Sequence, residues 1–192
     1  MAEEKFEFLP LTPERWPDFE RLFGPKGACA GCWCMSWRTT AREFKKNSGE
    51  GNRRTMKALV EAGVVPGVLA YADGRPVGWC SVGPREDFVR FAGSRTLQPL
   101  DDTPVWSIVC LFIEKSWRRR GLSVELIHSA VRFARSRGAR VVEGYPSVPR
   151  SGRSPDTFVY MGLPQMFSRA GFREAARPTQ ARSIMRSYPD DA

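Results

Sequence analysis

The chain has 192 residues, 42% of them hydrophobic and 27% charged, with a formal net charge of +9. This size suits one domain over residues 1–192, large enough to bury a core without disulfide staples. No apolar run approaches the roughly 20 residues of a membrane span, and Met1-Ala2-Glu3-Glu4-Lys5 is acidic where a signal peptide is basic and then apolar, so no membrane partner and a cytoplasmic location are expected.

Lys5 to Leu11 alternates apolar and polar residues and predicts a first strand. Thr12, Pro13 and Glu14 form a helix start, with an N-cap, Pro at N1 and an acid in the first turn. That helix should stop at Gly24-Pro25. Gly27 to Trp37 is a loop rich in aromatic residues and cysteine. A helical region covers Thr40 to Ala62, broken near Ser48 to Gly51. Val68–Ala72 and Val77–Val82 flank Asp73-Gly74-Arg75-Pro76, a hairpin signal. Pro84 to Pro104 is an irregular connection. Trp106 to Ile113 is almost wholly apolar and predicts a central strand buried on both faces. Gly121 to Arg137 has helical spacing, and Gly138 ends it. A strand over Val141–Tyr145, a loop over Pro146–Thr157, a helix over Pro164–Ala170 and a strand pair over Phe172–Ala176 and Arg182–Ser187 complete the chain. The order β-α-α-β-β-β-α-β-α-β-β contains one βαβ unit. It predicts an α/β (α+β mixed) fold: a twisted, mostly antiparallel sheet with helices on both faces.

Five cysteines are present: Cys29, Cys32, Cys34, Cys80 and Cys110. The odd count without a secretion signal predicts reduced thiols. Cys29, Cys32 and Cys34 fall short of a zinc tetrad, and the single histidine, His128, lies mid-helix, so no metal is expected. Only six of the 30 basic residues are lysines. Arginine suits bidentate phosphate recognition, and arginine bias also follows from a GC-rich genome.

The chemistry-bearing stretch runs from Leu111 through Phe112 and Ile113 to Arg118-Arg119-Arg120-Gly121-Leu122-Ser123. A buried strand ends, a basic turn follows, and a helix opens on small residues. Unpaired amides at a helix start, with the positive end of the dipole, bind phosphate oxygens. Gly121 lets backbone approach a ligand closely. The stretch resembles the central motif of the GNAT superfamily, Arg/Gln-x-x-Gly-x-Gly/Ala after a Leu-x-Val strand. Arg118, Gly121 and Ser123 take the motif positions, with Ser123 in place of Gly or Ala. Phe167-Ser168-Arg169-Ala170-Gly171-Phe172 is similar to the family's Tyr-x-x-x-Gly-Phe.

The resemblance implies acetyl-CoA as co-substrate, its pyrophosphate on backbone from Arg119 to Ser123 and its pantetheine arm paired with Leu111 and Ile113. It implies direct attack of a primary amine on the thioester, with the Leu111 N–H as oxyanion donor. Glu143, in Val141-Val142-Glu143-Gly144-Tyr145, matches an acid that some relatives use as base. Phe167 stands where many relatives carry the Tyr that reprotonates the CoA thiolate, which leaves Tyr160 or Tyr145 as substitute acids. Ser107 occupies another base position and is too weak to act alone. Trp33 and Trp37 either line an acceptor pocket or pack their loop on the sheet. Arg150 and Arg153 sit in a loop that could close over the CoA 3′-phosphate or an acidic acceptor.

The expected partners are CoA and a small-molecule amine, on a monomer or homodimer. Two other readings stay open: a CoA-binding sensor without transfer activity, and a basic nucleic-acid-binding module. The second is disfavoured because the arginines are scattered and no binding motif is present.

Overall fold

The computed structural model describes residues 5–149 and 160–189. Strand β1 (Phe6–Pro10) turns Phe6 and Phe8 to one side of the sheet and Leu9 to the other, as a period of two requires. A 3₁₀ turn (Pro13–Arg15) leads into α1 (Trp16–Phe23), which buries Trp16, Phe19, Leu22 and Phe23. The predicted Thr12 cap accepts from the Arg15 guanidinium at 3.2 Å rather than from a helix amide. The second helical region divides where expected, into α2 (Ala41–Lys46) and α3 (Glu50–Glu61), with Gly49 between them at φ +79°. Thr40 caps α2 reciprocally: Glu43 N–H donates to its hydroxyl at 3.3 Å, and Thr40 N–H donates to the Glu43 carboxylate at 3.0 Å.

Strands β2 (Gly67–Ala72) and β3 (Arg75–Pro84) join through Asp73 and Gly74, both at positive φ, a two-residue turn of the I′ kind. The long connection after β3 contains two 3₁₀ turns, Arg85–Asp87 and Val89–Phe91. Strand β4 (Val105–Ile113) pairs antiparallel with β3 and parallel with β5 (Val141–Gly144). Helix α4 (Leu122–Ser136) makes that parallel crossover. Helix α5 (Pro164–Arg169) and the hairpin β6 (Arg173–Thr179) and β7 (Arg182–Ser187) follow.

The seven strands lie in the order β1-β2-β3-β4-β5-β7-β6, antiparallel except at β4–β5. Helices α4 and α5 cover one face through Leu122, Leu126, Ala130 and Phe167. Helices α1 and α3 cover the other through Phe19, Phe23, Met56 and Val60 over Leu69, Tyr71 and Trp79. A third cluster joins Phe88, Phe91 and Leu97 of the long connection to Val109 and Tyr145.

Two features open the sheet. The β4–β5 pairing ends at Ile108–Gly144, while β4 continues to Ile113. The β3–β4 register also slips between Ser81 and Val82, so β4 bulges opposite them. The sequence predicted burial of β4 on both faces. It is mostly buried up to Val109 and only half-buried from Cys110 to Ile113, because no strand flanks β5's side of that stretch.

Candidate active site

The basic turn is built by local backbone geometry. After β4, residues Lys115–Trp117 form one 3₁₀ turn, and Arg118 Nε donates to the Ile113 carbonyl at 2.9 Å, tying the turn to the strand end. Arg119 (φ +63°) and Gly121 (φ +82°) both occupy the left-handed region. The arrangement costs a non-glycine residue about 1–2 kcal/mol and glycine nothing. The helical ladder starts with Val124 N–H to Gly121 O at 2.9 Å, so the amides of Leu122 and Ser123 precede it. Successive left-handed and helical residues of this kind form an anion-binding concavity.

From this turn a cleft of about 1370 Å³ runs along the half-buried end of β4 to the Cys-rich loop. Arg118, Arg119, Gly121, Leu122 and Ser123 line one end, with Lys115 and Arg169 beside them. Leu111, Phe112 and Ile113 line the middle. Trp37, Phe44, Tyr160, Cys29, Cys32, Cys34 and Cys110 line the far end. Among the described lining residues there is no Asp or Glu. Arg120 turns away and stacks on Trp117 at 4.9 Å, outside the cleft wall.

The far end is shaped by an unusual backbone. Ala28, Ala30, Trp33 and Cys34 all have positive φ, four of the six non-glycine residues that do so among those described. Surrounding structure must impose such angles. Trp33 is 4% exposed and stacks on Phe23 with 5.8 Å between ring centroids. Met35 is buried beside it. The start of α3 also grips the loop: Gly49 N–H and Asn52 Nδ2 both donate to the Gly31 carbonyl at 3.0 Å. The two tryptophans therefore divide the expected roles. Trp37 lines the cleft, and Trp33 is a packing residue with no cleft surface.

Glu143 lies elsewhere. It is 2% exposed and absent from the cleft wall. Arg186 Nε donates to Oε1 at 2.8 Å, and the Tyr145 hydroxyl donates to Oε2 at 2.6 Å. Arg85 approaches Oε2 at 3.5 Å and the Tyr145 hydroxyl at 2.8 Å. Ser107 shares a 2.8 Å hydrogen bond with that hydroxyl. Asp101 completes the network with two contacts to Arg186, whose guanidinium holds the Asp101 carboxyl well below the ordinary carboxylate range. Burial first, and then the Glu143 charge, push the Tyr145 phenol upward. The expected base Glu143, the weak base position Ser107 and the substitute acid Tyr145 thus lie together, off the cleft wall. All three belong to one buried polar network beside the Phe91 ring.

Three further expectations meet specific geometry. The Leu111 N–H donates to the Tyr160 carbonyl at 2.6 Å, so this amide is engaged rather than open. Tyr160 itself lines the cleft, and burial is the main cause raising its phenol. Phe167 is fully buried rather than at a ligand surface: it packs on Phe172 and fills the space above Gly144, where a Cβ would meet its ring at 2.1 Å. Arg150 and Arg153 lie outside the described residues. Cys110, Phe44 and Leu163 are cleft residues that the sequence reading left unassigned. For Cys110 a signal existed: on β4 it alternates with Leu111 and shares its face with Phe112.

A profile of the acetyltransferase (GNAT) family matches residues 32–147, more than half the chain. No curated protein matches the sequence. Solved structures share its fold. An acetyltransferase of the GNAT family from Listeria monocytogenes aligns with a TM-score of 0.58 at 12% identity, covering 97% of this chain and 96% of its own. The PaiA N-acetyltransferase from Thermoplasma acidophilum, in complex with coenzyme A, gives 0.53 at 10%, covering 96% and 99%. The aminoglycoside acetyltransferase AAC(6')-Ib, also with coenzyme A, gives 0.53 at 14%, covering 97% and 96%. The parallel β4–β5 pair that splays over a basic helix start therefore has its counterpart in sequence, and the chain belongs to the acetyltransferase (GNAT) family.

Proposed function

We propose that the protein moves an acetyl group from acetyl-CoA to a primary amine of a small molecule, by direct attack while both are bound. One observation carries this reading: a single cleft joins the amide-lined basic turn to the aromatic and thiol-lined loop, so a diphosphate at one end and an acceptor at the other meet beside β4. Amides from Arg119 to Ser123, with Arg118 and Arg119 around them, suit the CoA diphosphate. Holding the two reactants together supplies most of what direct transfer needs.

Leu111 N–H remains our candidate oxyanion donor, reached when the thioester oxygen replaces the Tyr160 carbonyl on it. Tyr160 is the candidate proton donor to the departing thiolate, since its raised phenol stays protonated at neutral pH. The acceptor end, walled by Phe23, Trp37 and Phe44, supports an amine with an apolar or aromatic body. A solved relative at 13% identity holds ribostamycin, which makes aminoglycosides a natural comparison in the acceptor panel.

The test has two stages. Thermal shift with CoA should raise the melting temperature. Thiol release from acetyl-CoA over a panel of aryl, alkyl and polycationic amines should then be fastest with apolar amines. Stabilisation by CoA without thiol release for any amine would favour the sensor reading instead.

A further inference from the structure

The far end of the cleft is rich in hydrogen-bond donors and poor in acids. Among the described lining residues there is no Asp or Glu, so an amine with several ammonium groups finds no carboxylate there to offset the loss of its water. The polar groups of this end suit the opposite charge. Ser36 and Trp37 lie just before α2 and Phe44 lies on it, and all three line the cleft. Arg90, on the 3₁₀ turn Val89–Phe91, touches every one of them. Its N–H donates to the Trp37 carbonyl at 3.3 Å, its Nη1 donates to the Ser36 hydroxyl oxygen at 3.2 Å, and its guanidinium lies 5.7 Å over the Phe44 ring. The neighbouring Phe91 is buried with its ring centroid 4.8 Å from that of Trp37, which fixes the turn against the cleft wall.

These donors are not used up within the protein. Arg90 is half-buried and has no ion-pair partner among the described residues. A guanidinium carries five N–H groups, and the Ser36 oxygen takes one of them. Because that oxygen accepts from Arg90, the Ser36 hydroxyl proton is left to donate, and no described acceptor takes it. The Trp37 Nε1–H is buried and completes no hydrogen bond, though the Tyr160 phenol is close by. Such a donor is costly to leave unmet. Arg182 is a second cation without a carboxylate: its Nη1 donates to the Tyr145 carbonyl at 2.7 Å and to Met161 Sδ at 3.3 Å.

We propose that the acceptor is an amine whose apolar or aromatic body also carries a carboxylate, as an amino acid does, and that Arg90 and the Ser36 hydroxyl hold this carboxylate. The proposal rests on the acetyl transfer to a small amine proposed above and names its substrate class. The apolar body packs against Trp37 and Phe44, the carboxylate meets Arg90 and Ser36 beside them, and the amine faces β4. A guanidinium binds a carboxylate through charge-assisted, often paired hydrogen bonds. The same positive charge repels polycationic amines. In support, burial raises the Tyr160 phenol while the Arg182 and Arg90 charges act to lower it, which sets both cations around one cleft residue.

Two matched pairs of amines test this on the full chain: L-phenylalanine against phenethylamine, and para-(aminomethyl)benzoate against benzylamine, with spermine as the polycation. Thiol release from acetyl-CoA gives kcat/KM for each. Wild type should favour the carboxylate member of at least one pair by roughly tenfold or more, and should use spermine slowest. In Arg90→Met, which keeps apolar contact with Phe44 and loses the charge, that ratio should fall to about one, through KM more than kcat. Arg90→Lys should restore part of the preference, and Arg90→Glu should invert it. Ser36→Ala should lower the ratio roughly threefold, and it reads the same contact if Arg90→Met does not fold. The ratio separates recognition from support, because an Arg90 that only braces the loop would slow both members of a pair equally. Parent amines as fast as their carboxylates in both pairs, a preference that survives Arg90→Met, or spermine as the fastest acceptor overturns the carboxylate assignment and leaves acetyl transfer standing. CoA binding with no thiol release from any of the five amines overturns both.

Discussion

The two ends of the cleft are built on opposite plans. The basic end is one contiguous turn, Arg118 to Ser123, whose backbone is set by two left-handed residues and a helix start. The thiol end is gathered from distant segments: Cys34 from a loop with left-handed backbone, Trp79 from β3, and Cys110 from β4. Backbone at a helix start works from local sequence alone. A side-chain cluster across 76 positions, Cys34 to Cys110, exists only once the sheet has closed. The first plan tolerates drift in the rest of the molecule, whereas the second makes the far end depend on core packing around Trp33 and Met35.

If the two ends are separable, and the Glu143 network serves as scaffold for both, changes should sort cleanly. The largest effect belongs to that network. Glu143→Ala takes the buried carboxylate from Arg85 and leaves Arg186 with Asp101 alone, and should destabilise folding by about 3–5 kcal/mol, read from urea denaturation, with CoA affinity of the folded fraction unchanged. A large loss of CoA affinity there would join the network to the basic end and break the comparison. The same network has a pH signature. Arg186 lowers the Asp101 carboxyl, so that contribution is complete above the unfolded value of about 3.9 and is lost as pH falls through the lower folded value. Acid unfolding curves of wild type and Asp101→Asn should therefore converge at the lowest pH.

Next comes Ser123→Glu. A carboxylate at a helix N-terminus favours the helix, so folding should hold, while its repulsion of the diphosphate weakens CoA by roughly 10- to 100-fold, or about 1.4–2.7 kcal/mol, within the Coulomb range of about 1–4 kcal/mol at 4 Å. Calorimetry measures it. Trp37→Ala sharpens the far end. Loss of that ring should raise KM for an apolar amine about tenfold, near 1.5 kcal/mol, with CoA affinity within twofold. The smallest effect separates adjacent arginines. Arg119→Ala should weaken CoA by roughly fivefold and Arg120→Ala by less than twofold, because Arg119 lines the cleft and Arg120 stacks on Trp117.

The same contrast explains what could be read from sequence. The hairpin at Asp73-Gly74, the split near Gly49 and the crossover helix were legible, because turn chemistry and apolar period are local. The basic turn was legible for the same reason. Glu143 was ambiguous because an acid in an apolar strand has two explanations, and its partners Arg186 and Arg85 lie 43 and 58 positions away. Trp33 and Trp37 are four residues apart in one motif, yet only the left-handed turn at Trp33 and Cys34 sends one ring inward and the other to the cleft. Cys34 and Cys110 carried no pattern that linked them.

A pantetheine arm laid along β4 must dislodge the Tyr160 carbonyl before it can use the Leu111 amide. The swap replaces one hydrogen bond, worth about 0.5–1.5 kcal/mol net, with another of the same kind. On the proposed reading, displacing that carbonyl also releases Tyr160, so seating the thioester and presenting the phenol to its sulfur would be a single event.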